Sequence, residues 1–416
     1  MSKFLDKNNY CCRHCGNELH VPFVDLGFAP PSNAYLTYDD LNKPETYFPL
    51  KVMVCSNCWL VQTIDYTSGD YLFDEDYAYF SSTSSSWLQH AREYVDHIIP
   101  LLNINKSSFV VEIASNDGYL LKNFVEKGIN CLGIEPTKST AEAARKIGIN
   151  VVEEFFGEGL AEEISKKYGF ADLIIGNNVY AHIPDINDFT FGIEKLLSEE
   201  GVVTLEFNHI VPLIENCQFD TIYHEHFEYH SLHSAKTIFE KAGLIIWDVE
   251  EISTHGGSLR IYGSKKSSNR KISKRVFDLI KKEKKIGIET KNYYSSFQER
   301  CDKIKSEFLN FLINKKNSGK LIGSYGAAAK GNTLLNFSKV DHSLIPFVCD
   351  AAESKQDKFL PGSHIPVINP KELKHFSLDY LIIFPWNIAN EIEKNVRPLI
   401  GKDTKIVTFI PELKIL

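Results

Sequence analysis

The sequence lacks any run near the roughly 18 consecutive apolar residues that a membrane-spanning helix needs, and its first residues, MSKFLDKNNYCC, hold no apolar signal-peptide core. A cytoplasmic protein with no membrane partner is expected. Excess positive charge is missing too: 46 Lys and Arg face 54 Asp and Glu, a net charge of -8, so phosphate backbones are not attracted and no nucleic-acid partner is expected. The cysteines offer no disulfide framework, because nine is an odd number and four of them fall in two CxxC pairs. Those four read as metal ligands and the rest as core thiols in a reducing compartment. With 43% hydrophobic and 24% charged residues the chain is not disordered, and a length of 416 residues requires two or three domains.

Cys12-Arg13-His14-Cys15 and Cys55-Ser56-Asn57-Cys58 are matched knuckles. Each places two sulfurs on one side of a tight turn. Cys12, Cys15, Cys55 and Cys58 together form the closed soft shell that suits a structural Zn²⁺ and leaves no position for water or substrate. Cys11 and His14 are spare donors outside this set. Between the knuckles, VDLGFAPPSNAYL is rich in Pro, Gly and Asn and reads as loop held by the metal and not by a core of its own.

From about Ser108, buried β-branched runs alternate with amphipathic helices: SFVVEIASNDGYLLKNFVEKG, INCLGIEPTKSTAEAARKIG, ADLIIGNNVY and GVVTLEFN. This is a doubly wound α/β pattern, with ligands at the carboxyl ends of a parallel sheet. Glu112, Ser115, Asn116, Asp117 and Gly118 form the turn after the first strand, and Glu135, about 20 residues on, ends the second strand, where an acidic residue meets ribose hydroxyls. NAD and S-adenosylmethionine (SAM) both use such a turn. A pyrophosphate pressed on a helix N-terminus needs bare backbone, and a turn with the single glycine Gly118 favours SAM, which has no phosphate. Asn116 and Asp117 also read as helix N-caps. Asn177, in GNNVYAHIPD, is placed to hold the methionyl amine.

The densest polar cluster is Tyr223-His224-Glu225-His226-Phe227-Glu228-Tyr229-His230. Its HxH spacing is not the HExxH of zinc hydrolases, so general acid/base work is expected before a catalytic metal. His230 and His233 read as plain core or surface residues. Further on, Tyr294, Phe297, Cys301, Ile304, Phe308 and Phe311 recur every three or four residues, the mark of an amphipathic helix with a solvated lysine face. LIGSYGAAAKG then opens a second strand-loop-helix unit, followed by strands ending at Asp350 and Phe384. Lys330 beside a helix N-terminus suits a diphosphate; the same glycines and alanines also suit close helix-strand packing.

Together with LVQ at Leu60 to Gln62, DYAYFSS at Asp76 to Ser82, HGGSLR at His255 to Arg260 and GAAAKGNT at Gly326 to Thr333, these motifs run the length of the chain. It resembles the nucleotide-sugar C-methyltransferases of branched deoxysugar biosynthesis, which methylate C3 of 4-keto-6-deoxysugars. The resemblance implies a SAM-dependent methyltransferase Rossmann-like domain at residues 76–251, flanked by a zinc-binding domain at 1–75 and a C-terminal Rossmann-like nucleotide-sugar-binding domain at 252–416. The residues leave open the carrier nucleotide, the sugar, the configuration at C3 and the oligomeric state, a monomer included. In the implied cleft His226 takes the C3 proton, Tyr223 and His182 donate toward the enolate oxygen, Glu225 orients a histidine, and Tyr79, or in second place Tyr77, faces the sugar. Gly326, Lys330 and Asn332 receive the nucleotide portion. Two rivals fit less of the pattern: a sugar O-methyltransferase, which needs a base but no ketone, and a non-catalytic zinc-ribbon module that binds a protein or RNA.

Overall fold

A computed structural model describes residues 10–64, 81–83 and 85–416. Along the chain come β1 (Val21–Ala29), β2 (Phe48–Val54), β3 (Val61–Thr63), β4 (Phe109–Ile113), β5 (Asn130–Ile134), β6 (Val151–Val152), β7 (Ala171–Asn177), β8 (Leu197–Asn208) and β9 (Glu228–Tyr229). β10 (Leu244–Ile252), β11 (Ser258–Lys265), β12 (Ile322–Tyr325), β13 (Val348–Cys349), β14 (Val367–Ile368), β15 (Tyr380–Ile383), β16 (Lys405–Thr408) and β17 (Lys414–Ile415) follow. They assemble into three sheets.

The central sheet has the order β10-β11-β8-β7-β4-β5-β6, with β4 to β8 parallel and the β10–β11 hairpin antiparallel at one edge. Every residue of β4 is buried, as a strand covered by helices on both faces requires. The chain leaves β4 for β5 and β6 on one side and returns to β7 on the other, so the carboxyl ends of β4 and β7 flank a topological switch point. This is the doubly wound arrangement expected from the sequence. The boundary expected after residue 251 falls inside the β10–β11 hairpin: β11 pairs with β8 and buries Leu259, Ile261 and Tyr262, which ties it to the central sheet.

The C-terminal sheet repeats the plan in the order β14-β13-β12-β15-β16-β17, parallel except for β17, and puts the Gly326 loop at its own switch point. The apolar repeat from Tyr294 to Phe311 is buried on helices Lys291–Tyr294 and Phe297–Asn317. The lysine-rich helix Lys274–Ile286 is separate from them, because Gly287 takes a left-handed conformation and ends it.

The segment VDLGFAPPSNAYL is not wholly the coreless loop that its composition suggests: its first six residues belong to β1. β1, β2 and β3 form an antiparallel sheet completed by β9, a strand supplied from the polar cluster. Two irregularities in the β1–β2 pairing, around Pro22 and Gly27, break the alternation of the buried residues Val21, Phe23, Val24 and Leu26 and hide the strand from a sequence reading. The Phe23 ring stacks on Phe297 at 4.3 Å, so this sheet shares its core with the C-terminal helix. Among the described residues no helix is long and apolar enough to cross a membrane.

Candidate active site and metal centre

The Sγ atoms of Cys12, Cys15, Cys55 and Cys58 all lie within 4.8 Å of one another, with 3.5 Å between Cys12 and Cys58 and between Cys15 and Cys55. Zn–S bonds of about 2.3 Å in a tetrahedron put sulfurs about 3.8 Å apart, so the four thiolates fit Zn²⁺. Cys11 is exposed, and His14 places Nδ1 against Asn187 Oδ1 at 2.9 Å, so neither joins the shell. Among the described residues no other His, Cys, Asp or Glu group converges in this way.

The first knuckle is bolted to the polar cluster. Gln62 Nε2 donates to Cys12 Sγ at 3.2 Å while its Oε1 accepts from the Arg13 amide at 2.9 Å, and Gln62 itself pairs with Glu228 across β3 and β9. The Arg13 guanidinium donates to the Thr63 and Pro184 carbonyls at 3.1 Å each and lies 4.8 Å over the Phe227 ring. From the central domain, Asn187 Nδ2 and Lys241 Nζ donate to the carbonyls of residues 13 and 14.

At the β4–β7 switch point the turn residues Ala114, Asn116 and Gly118 all take positive φ. A Cβ on Gly118 would stand 2.3 Å from Ile149 Cδ1, so glycine is required there by packing as well as by φ. Asn116 and Asp117 do not cap the following helix; their side chains accept the Ser81 and Ser82 amides at 2.9 and 3.1 Å. Ser115 is fully buried, its Oγ packed against Gly133 beneath the turn. The Glu135 carboxylate accepts the Asn116 and Thr137 amides at 2.9 and 3.0 Å. Among the described residues, Glu112 Oε2, Asp117 Oδ1 and both polar side-chain atoms of Asn177 are buried with no hydrogen-bond partner. Burial, together with the nearby Asp117 and Glu135 charges, pushes the Glu112 carboxyl well above the usual range. Three carboxyl groups and an unpaired amide suit a donor carrying an ammonium and a sulfonium, and oppose a pyrophosphate. The SAM reading of this turn therefore fits its donor set.

The polar cluster packs against the segment that follows β7, where the Phe227 amide donates to the Ala181 carbonyl at 2.7 Å. His226 donates Nδ1–H to the Thr221 carbonyl at 2.9 Å, which leaves the lone pair on Nε2, where the Tyr223 hydroxyl donates at 2.7 Å. His182 donates Nδ1–H to the Glu225 carbonyl at 2.7 Å, and its ring meets that of His226 edge-on with centroids 4.7 Å apart. Burial lowers the His226 pKa well below the ordinary histidine value, with the His182, His255 and Lys330 charges adding to the shift, and burial brings His182 to about 4. Both rings are neutral near pH 7. The Glu225 carboxylate does not orient a histidine: it accepts from Ser32 Oγ at 3.0 Å and Asn33 Nδ2 at 3.1 Å, and the histidine is held by the residue's backbone carbonyl instead. His224 is held against β2 by the Phe48 carbonyl, and His230 is buried between Tyr180 and Phe207. Tyr77 and Tyr79 lie outside the described residues.

On the C-terminal side, Lys330 Nζ donates to Asn387 Oδ1 at 2.9 Å and lies 4.7 Å from the centre of the Trp386 ring, whose Nε1–H donates to Asp220 Oδ2 at 2.7 Å. Burial raises Asp220 to about 6 despite the Lys330 charge. The lysine thus faces the polar cluster. Gly326, at φ 98°, packs within the C-terminal unit where a Cβ would come within 2.2 Å of Pro385, and Asn332 Nδ2 donates to the Ser32 carbonyl at 2.6 Å, which ties that unit to the N-terminal segment. Asp220 and Trp386 meet Lys330 without forming a spaced motif; the one local signal nearby is the His-Gly-Gly run at 255–257, whose Gly256 packs on Trp386.

Family models match three stretches: a zinc binding domain over residues 12–73, a methyltransferase domain over 87–249 and a C-methyltransferase C-terminal domain over 253–411. The C-methyltransferase NovU of Streptomyces niveus is 33% identical over 405 residues, which span 97% of this chain and 96% of that protein. Among solved structures, the magnesium protoporphyrin IX methyltransferase of Synechocystis PCC 6803 with bound SAH matches at 14% identity and a TM-score of 0.35 over 43% of this chain and 83% of that one. An S-adenosylmethionine-dependent methyltransferase of Clostridium acetobutylicum matches at 12% identity and a TM-score of 0.36 over 43% and 92%. The chain belongs to the SAM-dependent C-methyltransferases that carry an N-terminal zinc-binding domain.

Proposed function

We propose that this C-methyltransferase removes the C3 proton of a nucleotide-linked 4-keto-6-deoxysugar and methylates the enolate carbon, in branched-sugar biosynthesis. The observation that carries the reading is the orientation of His226: a carbonyl fixes its Nδ1–H, so a neutral Nε2 is presented as a base beside a phenol and a second imidazole. Carbon has to be made nucleophilic before it can accept a methyl group, and the ketone makes this feasible by delocalising the carbanion onto oxygen. His226 Nε2 takes the proton, and the Tyr223 hydroxyl, released from Nε2, and His182 stabilise the oxygen. Bound SAM supplies a methyl group on a sulfonium whose departure needs no acid. Lys330 and the start of helix Ala329–Ser338 receive the diphosphate, and Asn177 with the acidic turn holds the donor.

The test is solvent-deuterium exchange at C3 of dTDP- or GDP-linked 4-keto-6-deoxysugars without SAM, followed by methyl transfer with labelled SAM. Exchange and a label on a ring carbon are expected. No exchange, or a label on oxygen, overturns the reading.

A further inference from the structure

We propose that His255 is a further catalytic residue, donating a hydrogen bond to the substrate oxygen that becomes the enolate oxygen; this rests on the ketone reading above. His255 sits in the turn Thr254–Gly256 between β10 and β11, at φ 52° and ψ 21°, a left-handed conformation uncommon outside glycine, which histidine adopts more readily than most residues. The surroundings enforce it. Thr254 Oγ1 donates to the buried Glu206 at 2.9 Å, Gln218 Nε2 donates to the Gly256 carbonyl at 2.9 Å, and Gly256 lies so close to Trp386 that a Cβ would come within 2.4 Å of its ring. A strained residue held by three separate elements is a common mark of a functional position.

The ring lies between the two halves of the site. On one side it is 5.1 Å from Trp87, whose own ring is 6.2 Å from Tyr119, the residue after Gly118 in the donor turn. On the other side the next residue, Gly256, packs directly against Trp386, over whose ring Lys330 Nζ lies at 4.7 Å. Among the described residues neither ring nitrogen has a hydrogen-bond partner, and neither is sealed from solvent. Burial, with Lys330 adding to it, brings the ring to about 4, so it is neutral at pH 7. A neutral imidazole is a suitable donor to an enolate oxygen, because it stabilises charge without giving up its proton. The C3–H pair moves into the C3–C4 bond, the carbonyl π pair moves onto oxygen, and the proton goes to His226. When C3 attacks the methyl carbon, the carbonyl re-forms, the S–C pair stays with sulfur, and the His255 N–H is unchanged.

Gly and Asn both accept a left-handed backbone, so His255→Gly and His255→Asn can fold without new strain. The full-length protein is assayed with dTDP-4-keto-6-deoxyglucose or its GDP-linked mannose counterpart for C3 deuterium exchange without SAM, kcat, KM, SAM affinity by calorimetry, and melting temperature. His255→Gly is expected to lose about 10²-fold in both exchange and kcat, the usual effect of removing one oxyanion donor. SAM affinity and melting temperature stay as in the wild type, and added imidazole restores part of the exchange. Exchange within twofold of wild type in both variants overturns the proposal, as does a fall in kcat with exchange intact. If the wild type exchanges and the variants do too, only His255 loses its role; if the wild type does not exchange, the ketone reading fails and takes this proposal with it.

Discussion

His226 and His182 each have their tautomer set by a main-chain carbonyl, so the proposed base depends on local backbone and not on a carboxylate partner. His226→Ala should leave SAM affinity intact in calorimetry and lower turnover by about 10² or more. Because burial holds the His226 pKa below 6.5, the ring stays neutral as pH falls through that value, and the acid limb of the kcat/KM profile should lie below pH 6.5. A limb at 6.5 or above would contradict this assignment. His230 tests the stability side. Burial lowers it from 6.5 to about 3, so between those values the unfolded chain binds the extra proton, and stability falls with falling pH by about 1.4 kcal/mol per unit. His230→Phe removes that dependence, and urea unfolding should show the variant gaining about 2 kcal/mol relative to wild type between pH 7 and pH 5. The role proposed for His226 came from the family resemblance, whereas the cysteines were legible in the sequence because a four-thiolate shell needs fixed residue types at short spacing. The partners of Glu225 were not, since Ser32 and Asn33 stand 193 and 192 residues away and serine and asparagine announce nothing by themselves.

At the level of elements, the turn after β4, proposed to hold the donor, packs through one glycine. Gly118→Ala must place a methyl group against the Ile149 Cδ1 end at φ 79°, so the Ile149 side chain or the turn has to move, at a positive φ that alanine disfavours. A loss of about 1–3 kcal/mol of stability is expected in denaturant unfolding, with weaker SAM binding in calorimetry; unchanged SAM affinity would show that the turn does not hold the donor. This element was readable because a buried strand, a polar turn and a distant acidic residue recur in order, and β4 and β5 appear where the apolar runs place them. β1 was not readable. Pro22, Gly27 and the pairing irregularities disguise its alternation, and the aromatic residue that completes its core, Phe297, lies on a helix far along the chain. Lys330 was legible as a cation at a loop-helix junction, but not its approach to Trp386 and Asp220, which depends on how the C-terminal sheet meets the loop at 219–221.

Across the whole molecule, zinc, base and C-terminal unit form one mechanical chain. The Cys12 sulfur is bonded by Gln62, Gln62 pairs with Glu228 on β9, and β9 immediately follows the His226 segment. On the other face, Ser32 joins Glu225 to Asn332. Metal loss should therefore act locally and directionally. β1 and β2 keep the core they share with helix Phe297–Asn317, so Cys55→Ser, or treatment with a strong chelator, should abolish zinc binding without unfolding that sheet. What loosens is the path through β3 and β9. Hydrogen exchange should report lost protection at residues 61–63 and 222–229, little change in β4 to β6, and turnover reduced in step with the exposure of the 222–229 amides. Should protection at 222–229 survive complete zinc removal while turnover falls, the metal would have to influence catalysis by some route other than the Gln62–Glu228 pairing. Global unfolding on chelation would instead mean that the shared aromatic core is too weak to hold β1 and β2 by itself.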